Sequence, residues 1–306
     1  MMEEQSFTAA DGVDIFYRRW APDGAVRAVV LIVHGASEHS GRYERFAAVL
    51  GHEGYAVFAP DLRGHGRTAA STGTGRLGER GMDGVLHDLD TLADLARAEF
   101  PSLPIVLFGH SMGSLIAQAY VERSGEAFAG YVLSGSGGVV EGVGEIVALV
   151  HEAVNAGLAD EPFDMLSGHN TGFEPARTTY DWLSRDADEV DKYVADPSCG
   201  SDAPLTYGFI AGMVETAATV MEPDAVDRIP KHLPVLLITG ERDPVSDGAL
   251  RVRVLEQRLR DAGLDVTARY YADARHELLN ETNRDEVHAD ITKWLARVIA
   301  KRSTSA

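Results

Sequence analysis

One cysteine, few cations and no long apolar run define this 306-residue chain by what they exclude. With Cys199 alone there can be no internal disulfide and no thiolate metal cluster. That suits a reducing cytosol, and Cys199 itself is expected to be a small buried hydrophobe. Lys and Arg number 28 against 47 Asp and Glu, a formal charge of −19. Such a balance speaks against nucleic acid as a partner and against electrostatic docking on anionic lipid. It leaves room for at most transient hydrophobic contact with a membrane. The longest wholly apolar run near the start, Ala28 to Val33, falls far short of the roughly 20 residues a membrane span needs. Met1-Met2-Glu3-Glu4-Gln5 lacks a basic stretch leading into an apolar one, so export is not expected. Apolar residues at 45% and charged residues at 25% are ordinary for a soluble, folded, cytoplasmic protein.

What is present is an alternation of short β-rich runs with longer helical patterns, which predicts an α/β fold with a mainly parallel sheet covered on both faces. Phe7 to Trp20 reads as a hairpin turning at Asp11-Gly12. Strands are expected at Val26 to Val33, Tyr55 to Ala59, Ile105 to Phe108, Tyr131 to Leu133, Val235 to Thr239 and Val266 to Tyr271. Helical patterns fill Tyr43 to His52, Gly84 to Phe100, Met112 to Glu122, Gly248 to Ala262 and Asp285 to Ala300. Between Gly135 and about Leu233 no convincing core strand occurs. Residues 137–225 therefore read as a mostly helical cap inserted into a core made of residues 1–136 and 226–306.

The sharpest local signal is Gly109-His110-Ser111-Met112-Gly113, which fits G-x-S-x-G. In a chain with 31 glycines the pentapeptide alone is weak. Its setting strengthens it, because a strand leads in and a helix leads out, with glycines where side chains would clash at a strained corner. A serine hydroxyl needs a base within reach and a third group to orient that base. On this architecture the order is serine, acid, histidine, with the latter two just past later strands. Asp243 in Gly240-Glu241-Arg242-Asp243-Pro244 and His276 in Ala274-Arg275-His276-Glu277 occupy those places. Asp247, directly before a helix, is the expected helix cap, which leaves Asp243 for His276. Backbone N–H donors for a developing oxyanion are expected from Met112 and from the loop after the strand ending at Val33, with Ala36 the candidate.

Together HGASEHSGRY (34–43), DLRGHGRT (61–68), GHSMGS (109–114), GERDPVSD (240–247) and RHELLNE (275–281) resemble the monoacylglycerol lipase and lysophospholipase family of α/β-hydrolases. The likeness runs in order from about Phe7 to Leu295. It implies a serine hydrolase that cleaves esters of long-chain acyl groups through an acyl-enzyme, with a helical cap over an apolar channel. The family's catalytic residues fall on Ser111, Asp243 and His276, and its oxyanion donors on Ala36 and Met112. The resemblance also puts Glu38, Arg42 and His110 near a polar head-group pocket, although ion pairing and loop bracing would account for them equally. Ser37 and Ser114 stand where the family often has glycine. No cofactor and no metal are called for.

Other readings are weaker. Arg63-Gly64-His65-Gly66 and the glycines of 71–81 lack the order and the lysine of a phosphate loop. His34, His39 and His65 lack the spacing of a zinc site. Val143, Ile146, Val147, Val150 and Val154 make an apolar helical stripe, yet Glu141, Glu145 and Glu152 without a neighbouring cation favour cap packing over membrane burial. A short-chain carboxylesterase or an aminoacyl-amide hydrolase is the alternative on the same fold, and a non-catalytic ligand-binding member is the remote one.

Overall fold

The sheet is built outwards from β3 (Ala28–Val33), whose six residues are all buried. Along it Val29, Leu31 and Val33 face one apolar cluster while Ala28, Val30 and Ile32 face another. A strand buried on both faces has to read as an unbroken apolar run, and AVVLIV does. In the computed structural model, which describes residues 1–303 except Ser167 and Met221, the α/β-hydrolase architecture expected from the sequence is realised.

In chain order the core begins with β1 (Met2–Thr8) and β2 (Asp14–Trp20), followed by β3, α1 (Glu44–His52) and β4 (Tyr55–Pro60). Then come α2 (Ala69–Thr72), α3 (Gly81–Glu99), β5 (Ile105–His110), α4 (Met112–Ser124) and β6 (Gly130–Ser134). Between β6 and the next strand of the main sheet lie α5 (Val143–Ala153), β7 (Pro162–Phe163), α6 (Ala187–Ala195), β8 (Leu205–Thr206), α7 (Tyr207–Thr219) and α8 (Pro223–Val226). The core resumes with β9 (Val235–Gly240), α9 (Leu250–Asp261), β10 (Val266–Tyr271) and α10 (Arg284–Ser303).

Eight strands run in the order β1-β2-β4-β3-β5-β6-β9-β10, parallel from β4 onwards and antiparallel at the β1–β2–β4 edge. Leu89 of α3, Ile116 of α4 and Leu255 of α9 cover one face; Phe46 and Leu50 of α1 with Ile291 and Leu295 of α10 cover the other. The order sets β5, β6, β9 and β10 side by side, so the loops leaving their carboxyl ends are neighbours. Sites of open α/β sheets form there.

Three expectations need correcting. The first strand begins at Met2 rather than Phe7, because MEEQS lies on an exposed edge and carries no apolar alternation. The apolar helical stripe from Val143 to Val154 is α-helical only to Ala153, then widens into a single π-type turn over 154–158 that breaks at Gly157 (φ 93°). Asp247 does not cap α9. Ala249, at φ 71°, occupies that position, and Asp247 ends a short 3₁₀ turn over 244–246.

Candidate active site

Ser111 sits between β5 and α4 with φ 52° and ψ −120°, a conformation that a non-glycine residue adopts only when its surroundings impose it. Here the imposition is backbone contact. A Cβ on Gly113 would stand 2.1 Å from the Val33 carbonyl oxygen, and one on Gly109 would stand 2.3 Å from the Gly113 carbonyl oxygen. The Ser111 N–H donates to the Ser134 carbonyl at 2.9 Å, tying the corner to the end of β6. Ser114 Oγ donates to the Ser111 carbonyl at 2.6 Å, so the departure from glycine at 114 adds a brace to the turn.

Past β9, Asp243 is fully buried, and its two carboxylate oxygens have separate tasks. Oδ1 accepts the Val245 N–H at 2.9 Å and caps the 3₁₀ turn; Oδ2 lies 3.0 Å from His276 Nδ1. One side chain thus both caps a turn and orients the histidine. His276, on the loop after β10, is 2% exposed. Burial alone would lower its pKa, but the Asp243 charge and hydrogen bond outweigh it and hold the imidazole above its ordinary 6.5. The His276 ring lies 4.9 Å from that of His110, the residue before Ser111. The Trp182 ring lies 5.1 Å from that of His276 on another side, tilted by 42°, and the Trp182 carbonyl accepts the His276 backbone N–H at 3.4 Å.

The loop after β3 closes against the corner: a Cβ on Gly35 would lie 3.2 Å from Ser111 Cβ. Among the described residues the Ala36 N–H meets no acceptor. Met112 opens α4, so its N–H belongs to the helix N-terminus, where the dipole favours negative charge. Ser37 follows Ala36 at φ 52°, a glycine-like conformation held by a serine.

Glu38, Arg42 and His110 are brought together, and chiefly with one another. Glu38 accepts from Gly35 N–H at 2.5 Å, Tyr43 Oη at 2.8 Å and Arg42 Nη1 at 2.9 Å. Arg42 also clasps Glu277 through both carboxylate oxygens, at 2.5 and 2.7 Å. Burial would raise Glu38, yet the charge of Arg42 and the nearby His110 and His34 hold it at about 2. Burial and the neighbouring His276 push His110 down to about 4, so it is neutral near pH 7.

Glu277, Trp182 and Tyr193 were not legible as site residues. Their partners lie 94 to 235 positions away in the chain, and 170–200 carries no core strand to place them. The ligand atoms of His39, Asp196 and Cys199 lie within 4.8 Å of one another. His39 Nδ1 accepts the Gly41 N–H, however, so Nε2 carries the proton given to Asp196 and is not free for a metal. Cys199 is buried, and burial pushes its thiol well above the usual range.

A family model described as Hydrolase_4, serine aminopeptidase S33, matches residues 24–283. The chain belongs to this family. The monoacylglycerol lipase of Mycolicibacterium smegmatis is 31% identical over 296 residues, covering 95% of this chain and 96% of the relative. The human monoglyceride lipase is 30% identical, over 97% and 91% of the two chains. Among solved structures, a thermostable carboxyl esterase from Bacillus coagulans in complex with glycerol superposes with a TM-score of 0.91 at 28% identity, covering 97% of this chain and 99% of that one. As a Hydrolase_4 member the chain also shares its fold with the yeast monoglyceride lipase, at a TM-score of 0.78 and 20% identity over 97% and 94% of the two chains.

Proposed function

We propose that this protein is a cytoplasmic serine hydrolase that cleaves monoacylglycerols or lysophospholipids to fatty acid and alcohol. Ser111 Oγ attacks the ester carbonyl carbon as His276 takes its proton, with Asp243 holding the imidazole in the Nδ1–H tautomer and balancing the imidazolium that forms. The oxyanion is met by the N–H groups of Ala36 and Met112. Collapse of the intermediate breaks the ester bond, and His276 returns its proton to the departing alcohol. Water, deprotonated by His276, then releases the acid from Ser111.

The observation that carries this reading is the left-handed serine at Ser111, locked by backbone contact at Gly109 and Gly113, beside a buried Asp243–His276 pair. The lipid substrate class rests on the full-length relatives named as monoacylglycerol lipases. It also suits a cavity of about 470 Å³ lined by Ser37, Phe163, Met165, Leu166, Tyr180 and Leu205. Its size and apolar lining are those of a small-molecule site. Residues 137–225 would form the cap that walls it. Aminoacyl-amide hydrolysis, suggested by the family's description, would need a carboxylate free to hold an ammonium group. Glu38 and Glu277 both turn carboxylate oxygens to Arg42 rather than leaving them open to a ligand, which favours the ester.

Two assays test the proposal. A fluorophosphonate probe should label the native protein and not Ser111→Ala; equal labelling of both removes Ser111 from the mechanism. In a chain-length series of p-nitrophenyl and glycerol esters, kcat/KM should rise from acetyl towards acyl chains of about ten carbons. A preference for acetyl would leave a short-chain carboxylesterase instead.

A further inference from the structure

The loop bearing Ala36 is anchored at three of its polar atoms. Gly35 N–H is held by Glu38, and the Ser37 carbonyl accepts from both Tyr193 Oη and the Gly200 N–H, each at 3.0 Å. The third anchor is His34. Its Nδ1 lies 2.7 Å from the Gly35 carbonyl oxygen, and its Nε2 lies 2.9 Å from the Leu62 backbone nitrogen. A backbone N–H can only donate, so Nε2 is the bare acceptor and Nδ1 carries the proton. Both ring nitrogens are committed, to opposite loops, in a side chain 1% exposed. Burial lowers the His34 pKa, which keeps the ring neutral and this pattern intact.

The Gly35 carbonyl and the Ala36 N–H belong to one planar peptide unit and point in opposite directions. Fixing that oxygen therefore fixes the direction of that N–H. We infer that His34 is a positioning residue for the oxyanion donor: its Nδ1–H, steadied by Leu62, aims the Ala36 N–H at the developing negative oxygen. The inference rests on the proposed role of Ser111 and Ala36, and it adds a residue that touches no substrate. Tilting one oxyanion donor away acts on the transition state and not on ground-state binding, so kcat changes and KM does not.

Two variants separate the ring's two bonds. His34→Asn keeps a donor near the Nδ1 position; His34→Gln keeps an acceptor near the Nε2 position and loses that donor. With a p-nitrophenyl ester, His34→Gln should lose on the order of 10²-fold in kcat with KM nearly unchanged, and the affinity of a trifluoromethyl ketone should drop by the same factor. His34→Asn should recover most of that loss. A kcat for His34→Gln equal to the native one, or an equal loss in both variants, overturns the inference. If either variant fails to fold, long-range ¹H–¹⁵N correlation on the native protein decides. His34 should be the neutral Nδ1–H tautomer at pH 7 and above, free and inhibitor-bound, and an Nε2–H tautomer or an imidazolium there refutes it. Fluorophosphonate labelling of the native protein keeps the two claims apart, because its failure removes the hydrolase reading, whereas contrary His34 results with Ser111 labelled remove only this one.

Discussion

Replacing Arg42 by Met keeps an aliphatic stem and removes the charge that two buried carboxylates share. Glu38 is 3% exposed and Glu277 is 5% exposed, and Arg42 is within 2.9 Å of both. Removing one partner of a buried ion pair typically costs about 3–5 kcal/mol, because the survivor is left desolvated and uncompensated. The pH dependence is the sharper signature. In the native protein Glu38 is held at about 2 against its ordinary 4.5. That depression contributes about 3 kcal/mol of stability, complete above pH 4.5 and lost as pH falls towards 2. In Arg42→Met burial loses its largest opponent and both carboxyls rise, so the variant loses stability as pH rises and they ionise. The gap between native and variant should therefore be widest near pH 7 and narrow towards pH 4. Urea unfolding at the two pH values measures it. A gap below about 1 kcal/mol at pH 7, or one of equal size at both, would refute the buried-network account of Arg42. Direct head-group binding would instead raise KM for glycerol esters with stability untouched.

Gly113→Ala would force a methyl to within 2.1 Å of a backbone oxygen that no rotamer change can move. Activity should fall at least about 10²-fold as the serine corner shifts, with a lowered Tm; native kcat would contradict the elbow. Because His276 is held above 6.5, kcat/KM should fall as pH drops through a limb lying above that value. Asp243→Asn should move the limb down and cut kcat by about 10⁴-fold, and an unmoved limb would exclude Asp243 as the orienting group. Leu149 is 68% exposed on α5. Leu149→Asp should slow hydrolysis of emulsified monoacylglycerol several-fold while leaving soluble p-nitrophenyl acetate turnover and Tm unchanged. Equal effects on both substrates would rule out lipid contact there.

Where the chain's own backbone decides a conformation, the sequence is legible. The corner at Ser111 needs small residues at 109 and 113, and the loops after VLLIT and VTARYY carry an acid and a histidine because strand ends are where polar groups collect. The Asp243–His276 bond follows from β9 and β10 being adjacent. Asp247 misled because its type suits a cap, while the chain reached α9 through left-handed residues at 247 and 249 that no side-chain rule announces. Glu38 and Arg42 were legible as a site by resemblance alone. The clasp of Arg42 on Glu277 joins residues 235 apart in the chain and depends on the completed sheet. Tyr193 and Trp182 were hidden for the same reason, since neither belongs to a periodic element that meets the sheet.

Between β6 and β9 the chain runs through two unlike parts. Residues 181–203 are stitched to the core: Leu183 accepts from Glu277 N–H, Arg185 pairs with Glu281, Asp186 with Arg284 and Glu189 with Arg45, while Tyr193 and Gly200 hold the Ser37 carbonyl. The α5 half instead shows Ile146, Leu149 and Leu158 to solvent. Residues 181–203 thus frame His276 and the Ala36 loop, while the apolar face that α5 shows to solvent carries none of these ties. Changes along that exposed face can therefore alter what the surface meets without retuning the chemistry.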